Sequence, residues 1–268
     1  MPTTQGGAET KEGSQTDTVF AADLVRGKEV FHNSCAGCHG YRGNGQGPVS
    51  GLVHPKPRNF LAGTFKFRST PTGEFPLDMD LVHTISDGLH GTVMPPFAAM
   101  DRRDMMAVIS YIKKLYSDHL LESLVEDEFG DDEPDPDEMQ ELKDVVASKV
   151  EGGQPIEIPP EPIMDDASIR RGENLFRKLG CFECHGMTGR GDGSSANSLV
   201  DDWGDPIRPA DFTLSGGLKT GSDPRMIYRT FMTGLDGTPM PSFGAQLTPE
   251  DAWDLTHYVF WLRRVLRR

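Results

Sequence analysis

The 268-residue sequence predicts an all-α protein made of two tandem copies of one helical unit, joined by a long acidic linker. Three observations carry that expectation. The two flanks repeat each other, their apolar residues recur at helical spacing behind helix caps without a convincing alternating strand run, and the charge is concentrated in one central stretch. Cys35-Ala36-Gly37-Cys38-His39 recurs as Cys181-Phe182-Glu183-Cys184-His185, offset by 146. The same offset relates Gly43, Gly45 and Gly47 to Gly189, Gly191 and Gly193, and Gly88-Leu89 to Gly234-Leu235. It also relates Thr92, Met94, Pro95 and Phe97 to Thr238, Met240, Pro241 and Phe243, while Arg26-Gly27 pairs with Arg171-Gly172 at 145.

In chain order, residues 1–20 read as a flexible polar segment and residues 21–116 as the first unit. That unit has a helix over Asp23–Asn33, the cysteine motif, a Gly/Pro-rich loop, a short helix over Leu77–Ser86 and a closing helix over Asp101–Tyr116. Residues 117–165 form the linker. Its core, Val125 to Glu138, has repelling charges and prolines and favours an extended or mobile chain. Met139–Val150 has helix-friendly composition behind Asp137, and Gln154–Pro162 reads as extended. Residues 166–268 repeat the first layout. A helix over Ser168–Leu179 has Ser168 as its N-cap, and a short helix spans Asp223–Met232. The closing helix runs from Thr248 to about Arg264, with Thr248 as cap, Pro249 at the first helical position and acids in the first turn.

The net charge is −14, from 27 Lys plus Arg against 41 Asp plus Glu. Between Ser117 and Pro162 stand 16 acidic residues and only Lys143 and Lys149, so this one segment carries the whole imbalance. An acidic total excludes a general nucleic-acid binder. No apolar run approaches the ~20 residues that span a bilayer. The first residues contain no secretion h-region, so a signal peptide is expected to be absent from this chain. Four cysteines are too few for a disulfide-built scaffold.

C-x-x-C-H is the spacing of covalent c-type haem attachment. Two thiols stand one helical turn apart, and the next residue is an imidazole able to become an axial ligand. Here it occurs twice at equivalent positions and uses all four cysteines. The alternatives explain less. A thioredoxin-like pair wants a βαβ context, a Cys₄ zinc site wants its pairs within about 15–20 residues, and two disulfides leave the histidines unexplained. Cys35, Cys38, Cys181 and Cys184 are therefore the haem-attachment residues, with His39 and His185 as the first axial ligands. Met94 and Met240 each lie 59 residues after the first cysteine of their motif, in Gly-Thr-x-Met-Pro-x-Phe, and are the second axial ligands. A thioether in that position raises the haem potential. Met79, Met100, Met105, Met106, Met226 and Met232 read as core or surface residues. His32, His54, His83, His90, His119 and His257 have no repeat partner and read as surface or loop residues, with His54 and His90 the rival ligands in the first copy.

These motifs resemble two class I cytochrome c domains, over about residues 21–116 and 166–268. Pro57-Arg58-Asn59-Phe60 and Pro209-Ala210-Asp211-Phe212, with the Gly-x-Gly-x-Gly loops, are similar to a subgroup found as electron-transfer partners or subunits of respiratory complexes. The resemblance implies crossed N- and C-terminal helices, one haem crevice per copy and two covalently bound haem c groups. It also implies a backbone carbonyl that orients the proximal histidine, assigned to Pro48, with Ser194 in its place in the second copy. Phe31, Phe60, Phe97 and Tyr111, and Phe176, Phe212, Phe243 and Tyr258, are candidates for the haem wall or the general core. Arg58, Lys66, Arg208 and Lys219 are candidates to neutralise propionates. The basic end, Arg263, Arg264, Arg267 and Arg268, suits a helix C-terminus or a docking patch.

The implied function is a periplasmic or otherwise extracytoplasmic di-haem electron carrier of a respiratory chain. Its partners are a redox donor and acceptor, and the acidic linker either docks a basic partner or acts as a tether. A di-haem enzyme of the sulfur-compound dehydrogenase or peroxidase type is the alternative from another class, and a fixed subunit of a larger respiratory complex is a third. The enzyme needs an iron with a displaceable or different ligand.

Overall fold

A computed structural model describes the backbone of residues 13–266 and the side chains of residues 23–266. It is helical, and among the described residues the only β pairing is an isolated bridge between Val200 and Pro206. The segment read as flexible, 1–20, lies outside the described residues up to residue 12. Its remainder belongs to α1, Gly13–Ser34.

In the first half, α1 leads into the motif helix α2, Ala36–His39, then a loop, α3, Asp78–Asp87, and α4, Arg102–Phe129. Asp101 caps α4 by accepting from Arg103 N at 2.8 Å. In the second half, α6, Asp166–Lys178, leads into the motif helix α7, Cys181–His185, then α8, Pro224–Thr233, and α9, Pro249–Val265. Thr248 caps α9 as expected. The cap of α6 is Asp165 instead of Ser168: Asp165 Oδ1 accepts from Ser168 N at 2.7 Å, and Ser168 Oγ accepts from Asp165 N at 3.1 Å. That reciprocal box satisfies two otherwise orphan N–H groups, so it wins over a lone serine cap.

The first helix of each half packs against the last, α1 on α4 and α6 on α9. Glycine permits the close approach. A Cβ on Gly27 would lie 2.1 Å from Ala107 O, and one on Gly172 would lie 2.0 Å from Asp254 O. The neighbouring arginines finish both crossings: Arg26 pairs with Asp104, and Arg171 pairs with Asp254 through Nε at 2.6 Å and Nη2 at 2.8 Å. Behind them lie two apolar cores. Phe31, Phe60, Val108, Ile109 and Tyr111 belong to one, and Phe176, Phe212, Tyr228, Trp253 and Tyr258 to the other. Each large apolar side chain buried in this way contributes roughly 1.5–3 kcal/mol.

The linker core departs from the sequence reading. Helix α4 continues to Phe129, well beyond Tyr116, and α5, Pro136–Glu151, turns back to pack on it. Leu120, Leu124 and Val125 are partly buried while Glu122, Glu126 and Glu128 are exposed, so α4 can be both acidic and helical: the charges stay in water. Leu142 and Val146 are the buried residues of α5, and Asp135 caps it, two residues before the expected Asp137. Residues 152–165 form neither helix nor strand, but they are stitched down. Ile156 N donates to Ser69 O at 2.8 Å in the first half, and Ile158 packs on the second core. An inert tether does not describe this segment.

Candidate functional site

Two copies of one site sit at the ends of the motif helices. Successive turns place the two cysteines of each motif on one helix face, and all four are unpaired and half-buried. Burial pushes the Cys35 and Cys181 thiols up to about 11.

The histidines are oriented identically. His39 Nδ1 lies 2.9 Å from Arg58 O, and His185 Nδ1 lies 3.1 Å from Ala210 O. A carbonyl only accepts, so the proton belongs on Nδ1 and the Nε2 lone pair is left for a metal. Phe60 stacks on His39 and Phe212 on His185, each at 4.6 Å. Burial lowers both histidine pKa values and favours the neutral, ligating form. These carbonyls belong to Arg58 and Ala210, not to Pro48 and Ser194. Phe60 N donates to Gly43 O and Phe212 N to Gly189 O, both at 2.7 Å, which folds that segment against the motif. The position was carried by the Pro-x-x-Phe segments in the sequence, but its pairing with histidine is made only by the fold.

The two methionines stand on matching turns. Leu89 N donates to Met94 O at 3.2 Å, and Leu235 N donates to Met240 O at 3.0 Å. Inside each turn a threonine hydroxyl accepts from the methionine N–H, Thr92 at 3.1 Å and Thr238 at 3.2 Å. Gly88 and Gly234 open the turns at φ 66° and 69°, and a Cβ there would run into the backbone that follows the methionine. Met94 and Cys35 border the first core; Met240 and Cys181 border the second. All eight aromatic candidates belong to or pack on these cores.

The residues present therefore fit a haem c in each half: two free thiols, a pre-oriented imidazole and a thioether beside one apolar core. His54 and His90, the rival ligands, are exposed. His257 is the histidine misread from sequence. It is 1% exposed, with Nδ1 3.0 Å from Ser168 Oγ and Nε2 3.5 Å from Glu161 Oε1. Of the other methionines, Met105 is buried and Met79 exposed.

Three of the four cations considered for propionates converge from both halves. Burial lowers Arg58 to about 10 and Lys66 to about 8, with Lys219 also lowered; Lys66 feels both of the others. The Arg58 guanidinium lies 4.7 Å over the Trp203 ring of the second half. Arg208 instead contacts Asn197 and Ala196 O. At the basic end, Arg263 donates to Leu214 O at 3.0 Å and Arg264 lies over Phe260, whereas Arg267 and Arg268 fall outside the described residues.

Comparison with known proteins gives the family. Residues 24–116 match the family model "Cytochrome c", and residues 167–259 match "Cytochrome C oxidase, cbb3-type, subunit III". Over 129 residues the chain is 30% identical to the cbb3-type cytochrome c oxidase subunit FixP of Sinorhizobium medicae; that match covers 45% of this chain and 37% of that relative's length. A solved chain of the Kuenenia stuttgartiensis reducing HAO-like protein complex superimposes with a TM-score of 0.72 at 37% identity, covering 88% of this chain and 95% of that one. Among the described residues, no helix is long and apolar enough to cross a membrane. With its repeated motif, paired family matches and two equivalent sites, the chain belongs to the cytochrome c family, as two tandem domains that imply two covalently bound haem c groups.

Proposed function

We propose that Cys35 and Cys38 attach one haem, whose iron takes His39 and Met94, and that Cys181 and Cys184 attach the other, with His185 and Met240. The observation that carries this reading is the repetition, residue for residue, of a carbonyl-oriented imidazole and a threonine-closed methionine turn. Bound there, haem c supplies reversible one-electron iron chemistry. The protein's residues hold the proton on Nδ1, present the thioethers and keep water away with Phe60, Phe97, Phe212 and Phe243. With His39 and Met94 holding one iron and His185 and Met240 the other, neither centre would keep a place for substrate, and the chain would act as a one-electron carrier rather than an enzyme.

The test uses Met94→Ala and Met240→Ala in the haem-loaded protein. Each variant keeps two covalent haems, loses half of the weak far-red absorption of Met-ligated ferric haem and lowers one of the two potentials. Full retention of the band overturns the assignment in that half, and a high-spin signal from the unaltered protein supports an enzyme instead.

Covalent haem attachment takes place outside the cytoplasm, so the proposed compartment is periplasmic or equivalent. Because the matched solved chain belongs to a protein complex and is covered over 95% of its length, we further place this chain as an electron-transfer subunit of a larger respiratory assembly. A native mass equal to the single chain would exclude that arrangement. The exposed acids of the α4–α5 hairpin suit docking of a basic redox partner. Asp131→Asn, Asp132→Asn, Glu133→Gln and Asp137→Asn together should slow transfer at low salt and flatten its ionic-strength dependence. An unchanged salt slope would sink the docking role.

A further inference from the structure

We infer that Asp236 is a positioning residue for Met240, and that the first half of the chain holds it there. This rests on the reading that Met240 is an iron ligand.

The Met240 turn is internally closed. Thr238 N and Thr238 Oγ1 both donate to Leu235 O, at 3.1 and 2.7 Å, while Leu235 N reaches Met240 O at 3.0 Å. Where Leu235 to Thr238 is held, the Met240 backbone follows. Asp236 lies inside this turn, and its carboxylate is gripped entirely from the other half. Oδ1 accepts from Arg68 Nη2 at 2.8 Å and from Thr72 Oγ1 at 2.7 Å, and Oδ2 accepts from Gly73 N at 2.8 Å.

Arg68 cannot yield easily. Its side chain has no exposed surface, and its other N–H groups donate to Phe65 O and Pro71 O, each at 3.0 Å. Nη2 also donates to Thr233 O at 2.8 Å, at the end of α8. The guanidinium therefore fixes the turn both where it leaves the helix and at Asp236. Charge-assisted bonds of this kind are stronger than neutral ones, and a buried guanidinium deprived of its carboxylate is costly. The equivalent turn of the first half is held differently. Position 90 is an exposed histidine, and its contribution across the boundary is a backbone N–H donated to Lys219 O at 3.0 Å. The sixth ligand of the second centre thus depends on side chains of the first half.

The experiment is an imidazole titration of the ferric, haem-loaded full chain, because imidazole competes for the methionine position. Asp236→Asn should bind imidazole about tenfold more tightly at one of its two centres, as expected for loss of a hydrogen bond to a charged group, with loss of far-red absorption at lower imidazole. Thr72→Val removes one exposed donor and should give a smaller gain of the same sign, which keeps the test valid if Asp236→Asn folds poorly. Unchanged imidazole affinity in both variants overturns the inference. Met240→Ala separates the two readings. If it opens one centre to imidazole while Asp236→Asn and Thr72→Val do not, only the positioning role fails. If Met240→Ala leaves the far-red band intact, the ligand assignment itself fails.

Discussion

The two halves orient their histidines in the same way but connect the supporting loop differently. From His39 to its carbonyl partner Arg58 the chain advances 19 residues; from His185 to Ala210 it advances 25. The extra length carries the Val200–Pro206 bridge and Trp203, which is 42% exposed and packs over Arg58 and against Gly237. The closing helices differ too. Helix α4 has 28 residues and runs on into the acidic hairpin, whereas α9 has 17. Helix α9 carries the buried His257, while Ser110, beside Tyr111 as His257 is beside Tyr258, bonds its own helix at Met106 O. The carbonyl that orients each histidine and the turn that carries each methionine are thus kept alike, while the connecting loop and the closing helix have diverged. Backbone carbonyls, glycine contacts and caps do the shared work, because they depend little on surrounding side chains.

The largest expected effect tests the likeness. Gly27→Ala and Gly172→Ala each force a methyl into a backbone carbonyl of the facing helix, at a cost of about 3 kcal/mol. Denaturant midpoints should fall similarly for both. If only one falls, the two crossings are not equivalent.

A smaller effect tests the divergence. Trp203→Ala removes the stack on Arg58 and should cost about 0.5–1 kcal/mol in the same measurement. A null result would mean that the longer loop is filler.

The crossing ion pairs should separate the halves more weakly. Asp254 is 4% exposed and Asp104 27%, so Arg171→Gln leaves the drier carboxylate and should lower Tm more than Arg26→Gln. Reversal of that order would contradict the burial argument.

The smallest effect is a pH slope confined to the second half. Burial lowers the His257 pKa below 6.5, against the pull of Glu161, Asp254 and Asp165. The unfolded chain then binds the proton more readily than the folded one, so His257 contributes full stability above the unfolded value and loses it as pH falls through 6.5 toward the folded value. His257→Asn should flatten the fall of Tm between pH 7 and 5. An equally steep fall would assign the acid sensitivity elsewhere.

Much of this was legible because it is local. C-x-x-C-H, the Thr-x-Met-Pro turns and the Thr248 and Asp101 helix starts are written in adjacent residues, and repetition separated Met94 and Met240 from ten other methionines. Local reading failed where a neighbour decided. Ser168 looked like a cap until Asp165 was placed beside it. Val125–Glu138 looked extended because charge was counted without the face it occupies. His257 looked like a surface residue because nothing nearby in sequence announces Ser168 or Glu161.

The sequence by itself determined the repeated helical units and the two haem-attachment motifs, since these follow from spacing and short-range backbone rules, and it supplied the ligand set proposed above. Only the tertiary structure decided which carbonyl holds each histidine, that the acidic stretch folds as a helical hairpin, and that Arg68 reaches 168 residues along the chain to Asp236. Those contacts join groups far apart in sequence. A buried hydrogen bond or ion pair is set by where the packed cores bring backbone and charge together, which composition and periodicity do not encode.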